Sequence, residues 1–548
     1  MSGSGPSTDE DYQFAPQERP FTPGSPYSPV HSAWRRAAYA GVALLAGAGS
    51  TFPSALTSVN VGPISGSLGV YAAEASWLPA IYFAANAGAN LTLIKARTQF
   101  GIPAVTRTFL IAFAAAALLE LVHPTLATAV LARACNGMAA AGLVTLAVYY
   151  LMQIFPPNLR PVGLVIGLGL SQLGTPLARL VPVDLLGDER WFGMHLLELA
   201  VPLALLAATL AVPLPPSDRI RAFRRLDLVT IGLTAPAIFL VCGVLGLGRV
   251  VWWTDAPWLG WMLAAAVPLF ALAWLVETQR TEPLVQFGWI GTRDILRFAA
   301  VALLVRLAIA EQTFGVVGLL SSGGLTNDQL RILFAWVLAA MALGIAIAAV
   351  TLSEERLPWQ VMTAALCIAL GAWLDSGANN LTRPPQLYLS QGLIGFGTTL
   401  FIGPALLFGL TRMLKRGTDH LVTIVVLFGV TQNVGALLGS AILGSYQIVQ
   451  ARAHAVALSS ALAGADPSVA ARLAAGAGAL AGSLTDPAQR AGQGAGLLGR
   501  ALTQEATVLA FGDVFRFVAV LALATAVYIG GLILVSAVRR KPAMDRPA

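Results

Sequence analysis

Apolar residues occur along the chain in blocks separated by short polar or Pro/Gly-containing stretches. About 20 apolar residues suffice for a helix to cross a hydrocarbon core. The pattern predicts helical spans at 37–58, 75–96, 104–122, 125–152, 161–183, 193–213, 226–248, 256–277, 294–320, 328–351, 359–376, 386–412, 419–446 and 514–538. The 75–96 block, rich in Ala and Asn, and the short 359–376 block carry the weakest signal.

Two stretches depart from this rhythm. Residues 1–34 are rich in Ser, Pro, Gly and acids, cannot bury a core, and are expected to form a disordered cytoplasmic tail. Residues 447–512 are Ala/Gly-rich with few aromatics. Asp466-Pro467 and Asp486-Pro487 read as helix starts, with Asp as N-cap and Pro at the first helical position. This stretch is expected to form two or three short periplasmic helices.

Composition narrows the class. Hydrophobic residues make up 56% of the 548 positions and charged residues 11%, with a mean hydropathy of +0.72. Soluble domains carry about 25% charged residues. That excludes a soluble enzyme, a secreted disulfide scaffold and a largely disordered protein, and leaves an all-α polytopic membrane protein. Cys135, Cys242 and Cys367 all lie in apolar runs and suggest neither disulfides nor a zinc site.

The net charge of +7 has a distribution that orients the chain. With the N-terminus in the cytoplasm, the cytoplasmic connections take Arg35, Arg36, Lys95, Arg97, Arg107, Arg160, Arg219, Arg221, Arg224, Arg225, Arg280, Arg293, Arg297, Arg356, Arg412, Lys415 and Arg416. The short outer loops hold only Arg190, Arg249 and Arg383. Positive residues concentrate on the cytoplasmic side of membrane proteins. Both termini are therefore expected in the cytoplasm, with 539–548 as a short C-terminal tail. Trp77, Trp191, Trp252, Trp253, Trp258 and Trp373 fall near outer span ends, as an interfacial belt requires.

Fourteen spans with a long outer stretch before the last one is a distinctive layout. It resembles the fourteen-span drug:proton antiporter family of the major facilitator superfamily, the EmrB/QacA type. Local motifs carry the resemblance: Asn60, Trp77 and Tyr82 around the exit of the first span, Arg133, Asn136 and Gly137 in RACNGMAAAGL of the fourth, and Asp513 and Phe515 near the last. The chain departs from the family pattern in three places. TFPSALTS in the first span has no acid, the loop around Gly101 lacks its acid, and GLSQLGTPLARL keeps Gly174 and Pro176 but not the later glycines. The resemblance implies two six-helix bundles, 35–214 and 291–538, with two added helices in 215–290 between them. It implies substrate and ion sites where the bundles meet.

Polar residues inside apolar spans are costly in lipid and mark such sites. The candidate substrate and proton pathway comprises Arg133, Asn136, Glu198, Arg306, Glu311, Gln312, Gln391, Gln432 and Asn433. Arg133 shares a helix face with Asn136 and Gly137 and suits an anion or a nearby acid. Glu311 lies in mid-span, not on the helix face of Arg306, and suits loading and release of a proton. His195 is a second protonation candidate. Arg179 and Asp184 are expected to pair as an outer gate, and Asp375 to be interfacial. Gly163, Gly167, Gly174, Pro176, Gly435 and Gly439 are expected to serve helix packing or gating.

No catalytic constellation, P-loop or metal motif stands out, so the sequence predicts neither an enzyme nor a cofactor. The function expected is proton-coupled export of small amphipathic compounds by alternating access, driven by the proton gradient across a bacterial inner membrane. The alternatives are a dedicated carrier of one organic anion or metabolite and a non-transporting scaffold or sensor. The resemblance also implies a periplasmic adaptor and an outer-membrane channel as partners.

Overall fold

In the computed structural model, which describes residues 18, 20, 24–187, 191–414, 420–462 and 466–544, the chain is built of helices. The main ones are α1 (Ala33–Val59), α2 (Trp77–Phe100), α3 (Ile102–Val122), α4 (Leu126–Met152), α5 (Arg160–Leu170), α6 (Gly174–Leu180) and α7 (Phe192–Ala211). Next come α8 (Arg225–Val251), α9 (Pro257–Thr278), α10 (Arg293–Ala310), α11 (Val316–Ser322), α12 (Asn327–Val350) and α13 (Leu357–Asp375). The last are α14 (Tyr388–Leu414), α15 (Leu421–Ala461), α16 (Pro467–Ala479) and α17 (Pro487–Met544). The charge-bias residues Arg190, Lys415 and Arg416 lie outside the described residues, as do 1–17, 19 and 21–23 of the N-terminal segment and 545–548 of the C-terminal one.

Local chemistry sets the helix ends. Ser32 and Thr125 cap α1 and α4 by accepting hydrogen bonds from the amides of Arg35 and Thr128. Gly101, at φ 84°, takes a backbone conformation that other residues resist, and so divides α2 from α3. A turn of π-helix, Glu311–Gly315, joins α10 to α11. It inserts an extra residue into the ladder and re-aims the side chains that follow.

Among the described residues twelve helices are long and apolar enough to cross a membrane, and the bent segment Pro157–Leu170 plus Gly174–Leu180 makes a thirteenth, with a 43° bend. The expected count of fourteen is therefore not reached on apolarity. The expected 75–96 span exists as α2, but that helix carries Asn86, Asn90, Lys95 and Arg97 and is not among the membrane-length apolar helices.

α1 to α7 pack on one another, and so do α10 to α17. The pair α8–α9 is tied to α2 by charge: Lys95 Nζ lies 2.7 Å from Asp227 Oδ2, and Arg280 lies 2.6 Å from Asp227 Oδ1. The two halves meet where α2 packs on α15, α5 on α14, and α5 and α6 on α12.

Two expectations change here. The 447–512 stretch is mostly not separate short helices. α15 continues to Ala461 and α17 begins at Pro487, so two spanning helices project beyond the bundle, with α16 as one separate helix beside them. Small residues permit this close pairing: a Cβ added at Gly494 would sit 2.8 Å from the Ala477 amide nitrogen. Asp466 and Asp486 do cap the new helices, accepting from the amides of Ser468 and Ala488.

The expected disordered tail is also partly ordered. Pro26 bridges Ser217, the Tyr27 amide donates to the Pro216 carbonyl at 2.9 Å, and its hydroxyl donates to Asp218 at 2.8 Å. His31 Nε2 lies 2.9 Å from Gln153 Oε1. Burial pushes the His31 imidazole below its usual pKa, against the opposing effect of the Gln153 hydrogen bond, and Arg35 and Arg36 push the same way as burial. A polar segment too short to form a core gains order here by pairing with the 213–224 connection.

Candidate functional site

Two buried polar clusters stand inside the two halves. In the first half, Arg133 of α4 is 1% exposed. Its guanidinium lies 2.5 Å from Glu198 of α7 and 3.4 Å from Glu120 of α3, and donates to Thr57 Oγ1 and the Pro53 carbonyl of α1. Thr57 in turn donates to Glu198 at 2.7 Å. His195 Nδ1 stands 3.7 Å from Glu120 and 3.9 Å from Glu198. Glu120, His195 and Glu198 bring ligand-type atoms within 4.8 Å of one another. Arg133 already supplies the positive charge there, so the cluster reads as an ion-pair network that ties four helices together.

In the second half the chemistry differs. Glu311 opens the π turn and is fully buried. Gln391 of α14 donates through Nε2 to Glu311 Oε1 at 3.2 Å and to Asp375 Oδ2 of α13 at 2.7 Å. Gln312 Nε2 donates to the Gln391 carbonyl at 3.2 Å. Asp375 Oδ1 is buried with no partner. Among the described residues no Lys or Arg forms a salt bridge with Glu311 or Asp375. The expectation that Asp375 is interfacial is corrected: it is 1% exposed.

The clusters occupy corresponding places. Thr57, Glu120 and Arg133 come from the first, third and fourth helical segments of the first half, and Glu311, Asp375 and Gln391 from those of the second. An arginine in one half is answered by a glutamine in the other.

A third polar strip runs between the halves. Asn433 of α15 donates to Asn86 of α2 at 2.9 Å, and Gly429 lies against Asn90. Arg306 of α10 is half-buried beside Gly435, and its Nε donates to the Gln432 carbonyl at 3.2 Å. The Tyr82 phenol of α2 lies within electrostatic reach of both Arg133 and Arg306. Toward the α15–α17 projection, Arg179 of α6 donates to Asn327 of α12 and lies over the Phe334 ring. Asn327 also donates to Asn60 at 3.2 Å. The expected Arg179–Asp184 pair is therefore replaced by a contact that crosses between halves.

The predicted pathway residues thus separate into three places. Arg133 and Glu198 lie inside the first half, and Glu311, Gln312 and Gln391 inside the second. Arg306, Gln432 and Asn433 lie where the halves meet. Asn136 is 1% exposed, and neither of its side-chain polar atoms has a partner. Of the two roles expected for Arg133, an anion or a nearby acid, its two buried carboxylate partners fit the second.

The glycines mostly pack within a half. A Cβ at Gly163 or Gly167 of α5 would meet the backbone of α4 at 2.9 Å. Gly174, two residues before the buried Pro176, lies against the α1 backbone at Thr51, while Gly435 and Gly439 lie against α10. The close approaches between halves fall instead at Gly169, Gly403 and Gly429. Glu120 was missed in the sequence. Its signal was an acid near the end of the apolar run AAAALLELV.

No family model matches the chain, and no curated protein matches it. Solved structures share its fold. A bacterial homologue of the human drug peptide transporters PepT1 and PepT2 matches at TM-score 0.53 and 11% identity, over 92% of this chain and 99% of its own. An auto-inhibited peptide transporter of the POT family matches at TM-score 0.50 and 13% identity, over 91% and 96%. The major facilitator superfamily proton:xylose symporter XylE matches at TM-score 0.43 and 14% identity, over 89% and 95%. The chain shares its all-α fold with the two peptide transporters.

Proposed function

We propose that this chain is a secondary active transporter that works by alternating access and couples export of small amphipathic compounds to proton entry. The observation that carries the reading is the Glu311–Asp375 pair. Both carboxyls are sealed from solvent and share the Nε2 of Gln391. Two negative charges buried together without a cation are too costly to persist. The pair therefore holds a proton in this sealed arrangement and gives it up when a rearrangement of the halves admits water. The first-half cluster differs, because Glu198 and Glu120 share the permanent positive charge of Arg133.

The resemblance to the fourteen-span drug antiporters supports export and a broad amphipathic substrate range. The charge bias of the loops supports an inner-membrane protein with both termini cytoplasmic. The proton gradient supplies the energy, and no cofactor enters the scheme. The α15–α17 projection is the surface at which a periplasmic adaptor leading to an outer-membrane channel would grip. A second reading, a dedicated organic-anion carrier, is favoured by Arg306, with which no acid pairs among the described residues.

The test is proton flux in proteoliposomes loaded with a pH dye and presented with a panel of fluorescent amphiphiles. Glu311→Gln is expected to abolish substrate-dependent proton movement while the purified variant keeps its thermal stability. Wild-type pH-dependent transport in a Glu311→Gln/Asp375→Asn double variant would sink the reading.

A further inference from the structure

We infer that the junction of α2, α10 and α15 is a binding site for the head group of an organic monoanion, a carboxylate or sulfonate, with Arg306 as its principal donor. The inference rests on the transport reading and names the substrate class.

Arg306 lies near the C-terminal end of α10 and near the middle of the Arg293–Ser322 span, where a cation persists only if something satisfies it. Gly435 makes room for its stem: a Cβ there would lie 3.0 Å from Arg306 Cγ. One backbone carbonyl, that of Gln432, engages Nε. No acid pairs with Arg306 among the described residues, and its two terminal nitrogens form none of the hydrogen bonds found there. The residue is half-buried, whereas Arg133 is 1% exposed.

The neighbours add donors and no negative charge. Gln432 Nε2 is buried without a partner. Across the junction stands the Tyr82 phenol. Asn433 and Asn86 are already committed to each other at 2.9 Å, which fixes the wall rather than offering a ligand group. The two terminal guanidinium nitrogens want acceptors, and an anionic head offers acceptors alone.

The distribution of acids points the same way. The buried acids Glu120 and Glu198 are held by Arg133, and Glu311 and Asp375 are closed inside the second half. None of them faces this junction to receive a cationic head. The planar guanidinium also matches a carboxylate or sulfonate through two parallel hydrogen bonds, a geometry that an ammonium cannot reproduce.

The experiment is equilibrium binding to the full chain in lipid nanodiscs, using two probes of matched shape: 2-naphthalenesulfonate and 2-naphthyltrimethylammonium. The anion is expected to bind at least tenfold more tightly than the cation. Arg306→Gln should lower anion affinity at least tenfold and leave cation binding unchanged. Arg306→Lys, which keeps the charge but not the fork, should recover part of the loss. Equal or tighter binding of the cation, or equal loss for both probes in Arg306→Gln, would overturn the inference. Binding at equilibrium needs no turnover. Selective anion binding without proton flux would therefore defeat the transport reading alone, and proton-coupled flux without anion selectivity would defeat this inference alone.

Discussion

Glu311 and Asp375 are bridged by a single nitrogen: Gln391 Nε2 stands 3.2 Å from one carboxyl and 2.7 Å from the other. At the corresponding place in the first half, Arg133 makes the same kind of bridge between Glu120 and Glu198 with a fixed positive charge. The two halves thus solve one problem, a buried pair of acids, in two ways. One solution is a fixed charge, and the other, on the transport reading proposed above, is a proton.

Converting the second solution into the first is a direct test. Gln391→Arg places a guanidinium between Glu311 and Asp375 and removes the need for a proton there. The variant is expected to fold, to lose uphill transport driven by a pH gradient, and to show substrate exchange that no longer varies with pH. The measurement is counterflow in proteoliposomes as a function of pH.

Removing the permanent charge should cost stability instead. Arg133→Gln leaves Glu198 and Glu120 buried without a counter-charge, a loss of about 3–5 kcal/mol for pairs of this kind. Adding Glu198→Gln should return part of that loss, because one uncompensated carboxylate is gone. Thermal unfolding in detergent of both single variants and the double variant measures the coupling.

Two glycines of similar crowding should give different phenotypes. Gly167 packs on Val148 within the first half, and its backbone approach there would be blocked by a Cβ at 2.9 Å. Gly403 of α14 packs on Val165 of α5 across the halves, with Val165 Cα also at 2.9 Å. Overpacking costs about 1–3 kcal/mol. Gly167→Ala is expected to lower the unfolding temperature. Gly403→Ala is expected to shift the population away from the arrangement in which α5 and α14 touch, read by spin-label distances between the halves.

The N-terminal clasp should be pH-sensitive. The folded pKa of His31 lies below the usual 6.5 because burial disfavours its charged form. The unfolded segment therefore binds the proton more readily. The clasp keeps its full stability above about 6.5 and loses it as pH falls through that value toward the folded pKa. Histidine-selective NMR should show a midpoint below 6.5, and His31→Phe should remove the acid-linked loosening. A midpoint above 6.5 would contradict the burial.

Hydropathy alone determined the class, the helical character and most span positions, because a bilayer demands about 20 apolar residues per crossing wherever the chain lies. It also marked Arg133, Glu198, Arg306 and Glu311, since an ionisable group in an apolar run is conspicuous. Pairing was not legible. Glu120 and Asp375 sit near the ends of their spans and read as ordinary interfacial acids, while Gln391 looks like any polar residue of a lined cavity. Only the packing of α3 on α4 and α7, and of α14 on α13 and the π turn, brings those side chains to their partners. The same holds for Gly403 and the extended ends of α15 and α17. A one-dimensional pattern records how far a residue is from water on average. Which residues face each other depends on how the helices rotate and cross, and that is settled by contacts between segments far apart in the chain.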